Sequence, residues 1–284
     1  AETYLSSRFG PAARQSHLFL PDTFGFPAQL PQLAHLAGID TFITNKLSWN
    51  DTNPFPHTSF LWEGLDGTQI RAHQTPGNDY NSANHPRELK RAENAHRSKQ
   101  LLSTTTRKDR PRPAVPITTH GARFLQPFGF GDGGGGPTAT MLTRARLAAA
   151  CDGLPAARFS RADNFCQGLE ADFAAATLNA RTIPIHRGEL YLELHRGTLT
   201  TQAWLKQANR QAEDDLRLAE LLLAGAPTAL SAAERKRAQA DLDEAWKLVL
   251  LNQFHDILPG SSIEAVYDDA RIQHARVTQI AQSW

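Results

Sequence analysis

The 284-residue chain sets 30 Lys and Arg against 29 Asp and Glu, and 40% of it is hydrophobic. The near-zero net charge gives no electrostatic reason to expect nucleic acid or an anionic membrane as partner, and no apolar run is long enough to cross a bilayer. The start has neither a secretory h-region nor an Arg-rich targeting pattern, and two cysteines, Cys151 and Cys166, do not make a disulfide framework, so a reduced cytoplasmic setting is the default expectation.

In chain order, residues 1–16 form a polar and small-residue lead-in. Leu18, Phe19 and Leu20 predict a buried strand, which Pro21 ends because it cannot donate to a ladder. Asp22 follows just past the strand end. It is read either as a nucleophile or metal ligand at the rim of a parallel sheet, or as the cap of the next helix. That helix is expected from Pro27 to Ala37, with Gly38 as its C′ residue. Thr41 to Thr44 is β-branched and aromatic and predicts a second strand. The resulting βαβ unit implies a parallel sheet, with Asn45 and Lys46 at the same rim as Asp22. Lys46 is then either a cation that keeps Asp22 ionised or an ordinary solvent-facing strand end.

Further on, Phe60–Gly64 and Thr68–His73 flank Asp66-Gly67 and predict a hairpin. The polar Glu88–Leu102 stretch has weak helical spacing, and Arg107–Pro116 reads as a basic, Pro-rich surface loop. Gly131-Asp132-Gly133-Gly134-Gly135-Gly136-Pro137 is neither a P-loop nor a dinucleotide fingerprint. Its glycines are expected where backbone takes positive φ or passes close to a ligand, with a flexible linker as the other reading. Pro137 is expected in the first turn of a helix over Met141–Ala150. A short strand is expected at Ala157–Ser160, then a helix over Asn164–Ala176. Long helices follow: Thr198–Leu223, Ser231–Asp256 behind a Ser231/Glu234 capping box, and a last one behind Ser261/Glu264. His255 and Asp256 fall where the second of these ends. The only methionine is Met141 and residue 1 is Ala, so the chain is read as processed or as a piece of something longer, cut at both ends.

Five stretches taken together resemble glycoside hydrolase family 38, the class II α-mannosidases, and its cytosolic and vacuolar branch with bacterial relatives. They are Leu20–Gln32, Thr44–Asn50, Gly131–Pro137, Glu189–Thr198 and Asn252–Ser262. The resemblance implies an α/β fold followed by an all-α one. A partial β/α barrel (parallel sheet, incomplete at the N-terminus) is expected over 1–182. A three-helix bundle contributing a metal ligand is expected over 183–284. It implies a retaining, zinc-assisted α-mannosidase that removes terminal α-linked mannose from oligosaccharides through a glycosyl-aspartate.

Within that resemblance, Asp22 matches the nucleophile and zinc ligand, Asp132 the acid/base, Lys46 the basic neighbour of the nucleophile, and His255 the zinc-binding histidine. Trp49, Trp62 and Tyr80 are candidates for sugar stacking or hydrogen bonding, or else plain core and rim aromatics. The family's zinc site also uses a His-x-Asp pair upstream of the nucleophile. No such pair precedes Asp22, where His17 is the only histidine, so two of the ligands are expected outside this chain. The expected partner is a mannose-containing oligosaccharide, with no nucleic acid or membrane, and with homo-oligomerisation of the full-length protein left open. The alternatives are a metal-dependent polysaccharide deacetylase-like hydrolase and a non-catalytic carbohydrate-binding remnant.

Overall fold

The computed structural model describes residues 2–13, 15–77, 80–102, 123–132, 134–178, 183–225 and 230–284. The chain divides into two compact units, Ala1–Leu194 and His195–Trp284. The expected basic loop at Arg107–Pro116 lies outside the described residues.

The first unit opens with α1 (Glu2–Phe9) and is built on a five-stranded sheet. Its strands are β1 (Leu18–Phe19), β2 (Thr41–Thr44), β3 (Ser59–Glu63), β4 (Gln69–Gln74) and β5 (Ile185–Arg187), in the spatial order β1-β2-β4-β3-β5. β1, β2 and β4 run parallel, β3 is antiparallel to β4, and β5 is parallel to β3. The sheet is therefore mixed, not all-parallel. The cause is the two-stranded turn at Asp66-Gly67: Gly67 takes φ +85° and Gly64 N–H donates to Thr68 O at 2.8 Å, which folds β4 straight back on β3. β1 is an edge strand, and Phe19 keeps 43% of its surface exposed, so the expectation of a buried strand does not hold. β5 belongs to this sheet, which carries the first unit past the expected boundary at 182.

The core under the sheet is aromatic. Phe26, Phe42, Phe55, Phe60 and Trp62 are buried together with Ile70 and Leu190. Between β1 and β2, α2 (Leu30–Leu36) ends as its sequence requires: Gly38 takes φ +80°, and Gly38 and Ile39 N–H donate to His35 and Ala34 carbonyls. α3 (Pro86–Leu102), α4 (Ala139–Ala148) and α5 (Ala162–Leu178) complete the unit. Thr138 caps α4, accepting from Met141 N–H at 3.3 Å, so Pro137 precedes the helix and does not stand in its first turn. Ala157–Ser160 forms no strand. Cys151 and Cys166 are both free thiols.

The second unit holds α6 (Ala203–Gly225), α7 (Ala232–Asn252) and α8 (Glu264–Ser283). Their apolar stripes meet in one cluster of Ala212, Leu216, Ala219, Leu242, Ala245, Val249, Val277 and Ile280. The Ser231/Glu234 capping box forms as its spacing predicts. The expected box at Ser261/Glu264 does not: Ile263 stands at the cap position, because the Ser261 hydroxyl is drawn instead to Asp256 Oδ1 at 2.8 Å. α7 stops at Asn252, so His255 and Asp256 sit in the turns beyond it and not in its last turn. Among the described residues no helix is long and apolar enough to cross a membrane.

Candidate active site

The C-terminal ends of β1, β2 and β4 point the same way, and polar side chains gather there. The carbonyl of Pro21 accepts from the backbone N–H groups of Asn45 (3.3 Å) and Lys46 (3.0 Å). These two bonds carry the β1–β2 pairing one step beyond the strands and set Asp22 against Lys46. Asn45, wholly buried, donates its side-chain amide to Thr75 Oγ1 and to Gly77 O at 3.0 Å, which ties the end of β2 to the end of β4. Lys46 Nζ forms an ion pair with Asp22 Oδ1; the lysine side chain is 7% exposed and the aspartate 19%. The ammonium also lies 3.9 Å from the centre of the Trp49 ring and 5.5 Å from that of Phe24.

Tyr80 joins this group from the loop after β4. Its phenol donates to Asp22 Oδ2 at 3.0 Å and reaches Asp132 Oδ1 at 3.3 Å. Burial, together with the facing Asp22 and Asp132 carboxylates, holds the phenol well above its ordinary value of 10.0. Tyr80 therefore stays a hydrogen-bond donor throughout the working pH range of proteins. It owns one proton. The two carboxylates therefore share one phenolic proton, which only one of them takes at a time. The two contacts bring Asp22 Oδ2 and Asp132 Oδ1 to one phenol oxygen, an arrangement compatible with the ~5–5.5 Å spacing of retaining glycosidases.

The glycine run that presents Asp132 has its two ends bonded to each other, which a free linker would not. Phe130 and Gly136 exchange both backbone bonds, at 2.8 and 2.9 Å. Asp132 takes φ +46°, and Gly134, Gly135 and Gly136 all take positive φ, a conformation that a side chain resists. At Gly129 a Cβ would stand 2.8 Å from the Gly136 carbonyl carbon. Gly129 N–H donates to Ser82 O at 3.0 Å, which fastens the hairpin to the segment carrying Tyr80.

Four of the residues singled out in the sequence thus come together: Asp22, Lys46, Tyr80 and Asp132, with Trp49 against Lys46. Trp62 does not join them. It is fully buried, packs against Phe26 and Phe42, and donates its indole N–H to Gly188 O at 2.8 Å. No ring face is left for a sugar; its place in β3, on the inward side of the alternation, decides this. His255 lies in the second unit, half-buried, with Phe254 stacked at 4.2 Å and Asp256 Oδ2 at 3.6 Å from Nε2. In the sequence Asn45 is read only as a rim residue and Glu193 only as part of the Glu189–Thr198 stretch, neither as a tie between segments. Asn45 is signalled only by a side-chain amide directly after a β-branched strand.

The Glycosyl hydrolases family 38 N-terminal domain profile matches residues 1–189, and the Alpha mannosidase middle domain profile matches residues 193–284. The chain belongs to glycosyl hydrolase family 38. It is 42% identical to mouse alpha-mannosidase 2C1 over 90% of its own length, and 37% identical to alpha-mannosidase G of Dictyostelium discoideum over 97%. In both cases it spans 22% of the relative. The crystal structure of an alpha-mannosidase from Enterococcus faecalis V583 superposes with a TM-score of 0.63 at 20% identity, covering 98% of this chain and 29% of that one; this likeness speaks for the fold.

Family 38 membership raises the matter of zinc. Asp22 offers an anionic oxygen and His255 an imidazole nitrogen, both donor types that zinc accepts. Among the described residues no group of three or more His, Cys, Asp or Glu is gathered so as to hold a metal ion. Each of the two residues fits the ion in kind.

Proposed function

We propose that this family 38 chain carries the catalytic carboxylates of a retaining α-mannosidase acting on terminal α-linked mannose of oligosaccharides. The observation that carries the reading is the single phenol of Tyr80 within hydrogen-bond reach of both Asp22 and Asp132, with Lys46 paired to Asp22 alone. The asymmetry separates the roles. Asp22, held ionised by a buried ammonium, attacks the anomeric carbon. The glycosidic C–O bond breaks as Asp132 gives its proton to the departing oxygen, leaving a mannosyl ester on Asp22. Water then attacks the same carbon while Asp132 takes back a proton, and the ester bond breaks with net retention. Tyr80 follows the charge: its proton stays with Asp22 while that carboxylate is anionic and is free for Asp132 once the ester forms. Zinc, with Asp22 and His255 each proposed as a ligand on its own donor chemistry, would supply Lewis acidity toward sugar hydroxyls when bound. The same reading takes the mixed sheet as part of a β/α barrel and the three helices of the second unit as a bundle.

The test sets zinc content and hydrolysis of 4-nitrophenyl α-mannoside side by side, on this chain and on a form extended upstream. The expected result is one zinc and turnover in the extended form, with Asp22→Ala lowering turnover at least ~10³-fold at an unchanged melting midpoint. A mannosyl ester trapped on Asp22 excludes a deacetylase-type reaction. An extended form that binds no zinc and cleaves nothing overturns the reading in favour of a carbohydrate-binding remnant.

A further inference from the structure

Glu193 lies outside the carboxylate cluster, and it is 8% exposed. Its Oε1 accepts from Thr52 N–H at 2.5 Å and Asn53 N–H at 2.8 Å; its Oε2 accepts from Asn53 Nδ2 at 2.8 Å. The reverse direction is also bonded. Glu193 N–H donates to Asn50 Oδ1 at 3.0 Å, and Asn50 Nδ2 donates to Tyr191 O at 3.0 Å. Residues 50–53, which directly follow Trp49, are thereby stitched to residues 191–193. The other end of that segment is fixed too. Leu190 and Phe26 exchange backbone bonds at 2.8 and 2.9 Å, four residues after Asp22. Gly25 permits this approach, since it takes φ +104° and a Cβ there would stand 3.1 Å from Leu190 O. Residues 190–193 therefore form a strap that grips the run carrying Asp22 at one end and the run carrying Lys46 and Trp49 at the other.

A buried carboxylate is an expensive way to hold a loop unless the loop has to be held in one place. We propose that Glu193 is a positioning residue of the α-mannosidase site: it fixes the loop after Trp49, and through it the aromatic wall over Lys46, so that the sugar meets a preformed surface. The inference rests on the function proposed above. It assigns the strap to substrate binding more than to the chemical step. The Asp22–Lys46 pair has its own anchor in the Pro21 carbonyl.

The experiment uses the longest form of the protein that cleaves 4-nitrophenyl α-mannoside, with amide hydrogen exchange as a readout independent of turnover. Glu193→Ala is expected to speed exchange at Thr52 and Asn53 and to raise KM roughly 5–10-fold with kcat within about 2-fold. Glu193→Gln is expected to stay within about 2-fold of wild type in KM, because Asn53 can turn its amide oxygen toward the new NH₂ group. Asn53→Ala, which removes one bond, is expected to lie between them and keeps the test open if Glu193→Ala fails to fold. Loosened amides with an unchanged KM overturn the proposal, as does a fall in kcat at constant KM. If the wild type cleaves no α-mannoside, the underlying function falls and the positioning role falls with it. An active wild type with a flat KM series removes the positioning role alone.

Discussion

Two polar networks, one in each unit, end differently. In the helical unit the side-chain amides of one network bond to neighbouring structural groups. Asn252 donates to Leu248 O and Gln273 Oε1, while Gln253, Asn209 and Glu213 form a second closed set. Every partner is another structural group, and the result is register between helices. In the sheet unit the buried groups form a chain with an open end. Thr75 and Gly77 hold Asn45; Asn45 and Lys46 hold Pro21; Lys46 meets Asp22; Asp22 shares Tyr80 with Asp132, and Asp132 stands exposed. Polar groups that close on themselves build architecture. Polar groups that end in a half-open carboxylate leave acceptor capacity for something else, and that difference distinguishes a core network from a site.

The largest effects should come from the cores and should leave this distinction intact. Trp62→Ala removes the central ring of the aromatic core and its bond to Gly188, and is expected to cost ~3–5 kcal/mol. Leu216→Ala, at the centre of the helical cluster, is expected to cost ~2–5 kcal/mol. Denaturant melts give the totals. Hydrogen exchange should place the first loss in β2–β4 and the second in α6–α8. If Trp62→Ala instead proves near neutral in stability but raises KM, Trp62 is a sugar-facing residue after all.

The next pair tests the open and closed networks directly. Tyr80→Phe removes a hydrogen bond to an ionised carboxylate, an interaction worth ~1.5–3 kcal/mol. The expected loss is about 10- to 100-fold in kcat with little change in melting, because the residue sits at a partly open rim. Gln273→Ala deletes one partner of the closed set around Asn252, and is expected to cost ~1 kcal/mol of stability with turnover unaffected. Kinetics and melts on the two variants should therefore move in opposite columns.

How much of this was legible in the sequence follows from range. Local signals were read well: the Asp-Gly hairpin, the Gly38 stop and the Ser231 capping box each depend on residues within a turn of one another. The Asp22 and Asp132 stretches stand out as strand-to-helix rim positions, and their roles come from the resemblance to family 38. What was misread depends on the third dimension. Leu18 to Leu20 is apolar whether a strand lies at the centre or at the edge. Trp62 has the same letters around it whether its ring faces inward or outward. Ser261 and Glu264 have capping-box spacing, but Asp256 competes for the hydroxyl from five residues upstream. The role of Glu193 cannot be read from the Glu189–Thr198 stretch because its partners, Asn50 to Asn53, lie some 140 residues away.

The last predicted effect concerns acid and is again compared between the units. In the sheet unit His73 is fully buried, and burial, with His96 and Lys99 nearby, holds its imidazole well below the ordinary 6.5. It uses both ring nitrogens in neutral form: Nε2 accepts from Leu125 N–H at 3.2 Å, so Nδ1 carries the proton toward Ser59 Oγ at 2.9 Å. His57 is pushed down to about 4, by burial first and then by His186 and Lys99. The unfolded chain protonates both rings below about pH 6.5, where the folded unit refuses the proton. Stability is therefore full above pH 6.5 and falls as pH drops from there toward 4, where His57 begins to charge in the folded state as well. Because His57 is only partly buried, its share is roughly 1–2 kcal/mol after discounting for solvent. His57→Gln should flatten that part of the stability–pH curve between 6.5 and 4 and leave the part due to His73. In the helical unit burial also lowers His274, so its curve bends in the same direction. Hydrogen exchange at pH 7 and pH 5 should show greater acid loosening around β3 and β4 than in α8. Equal loosening in both regions would mean that the imidazoles of the sheet are not what makes it acid-sensitive.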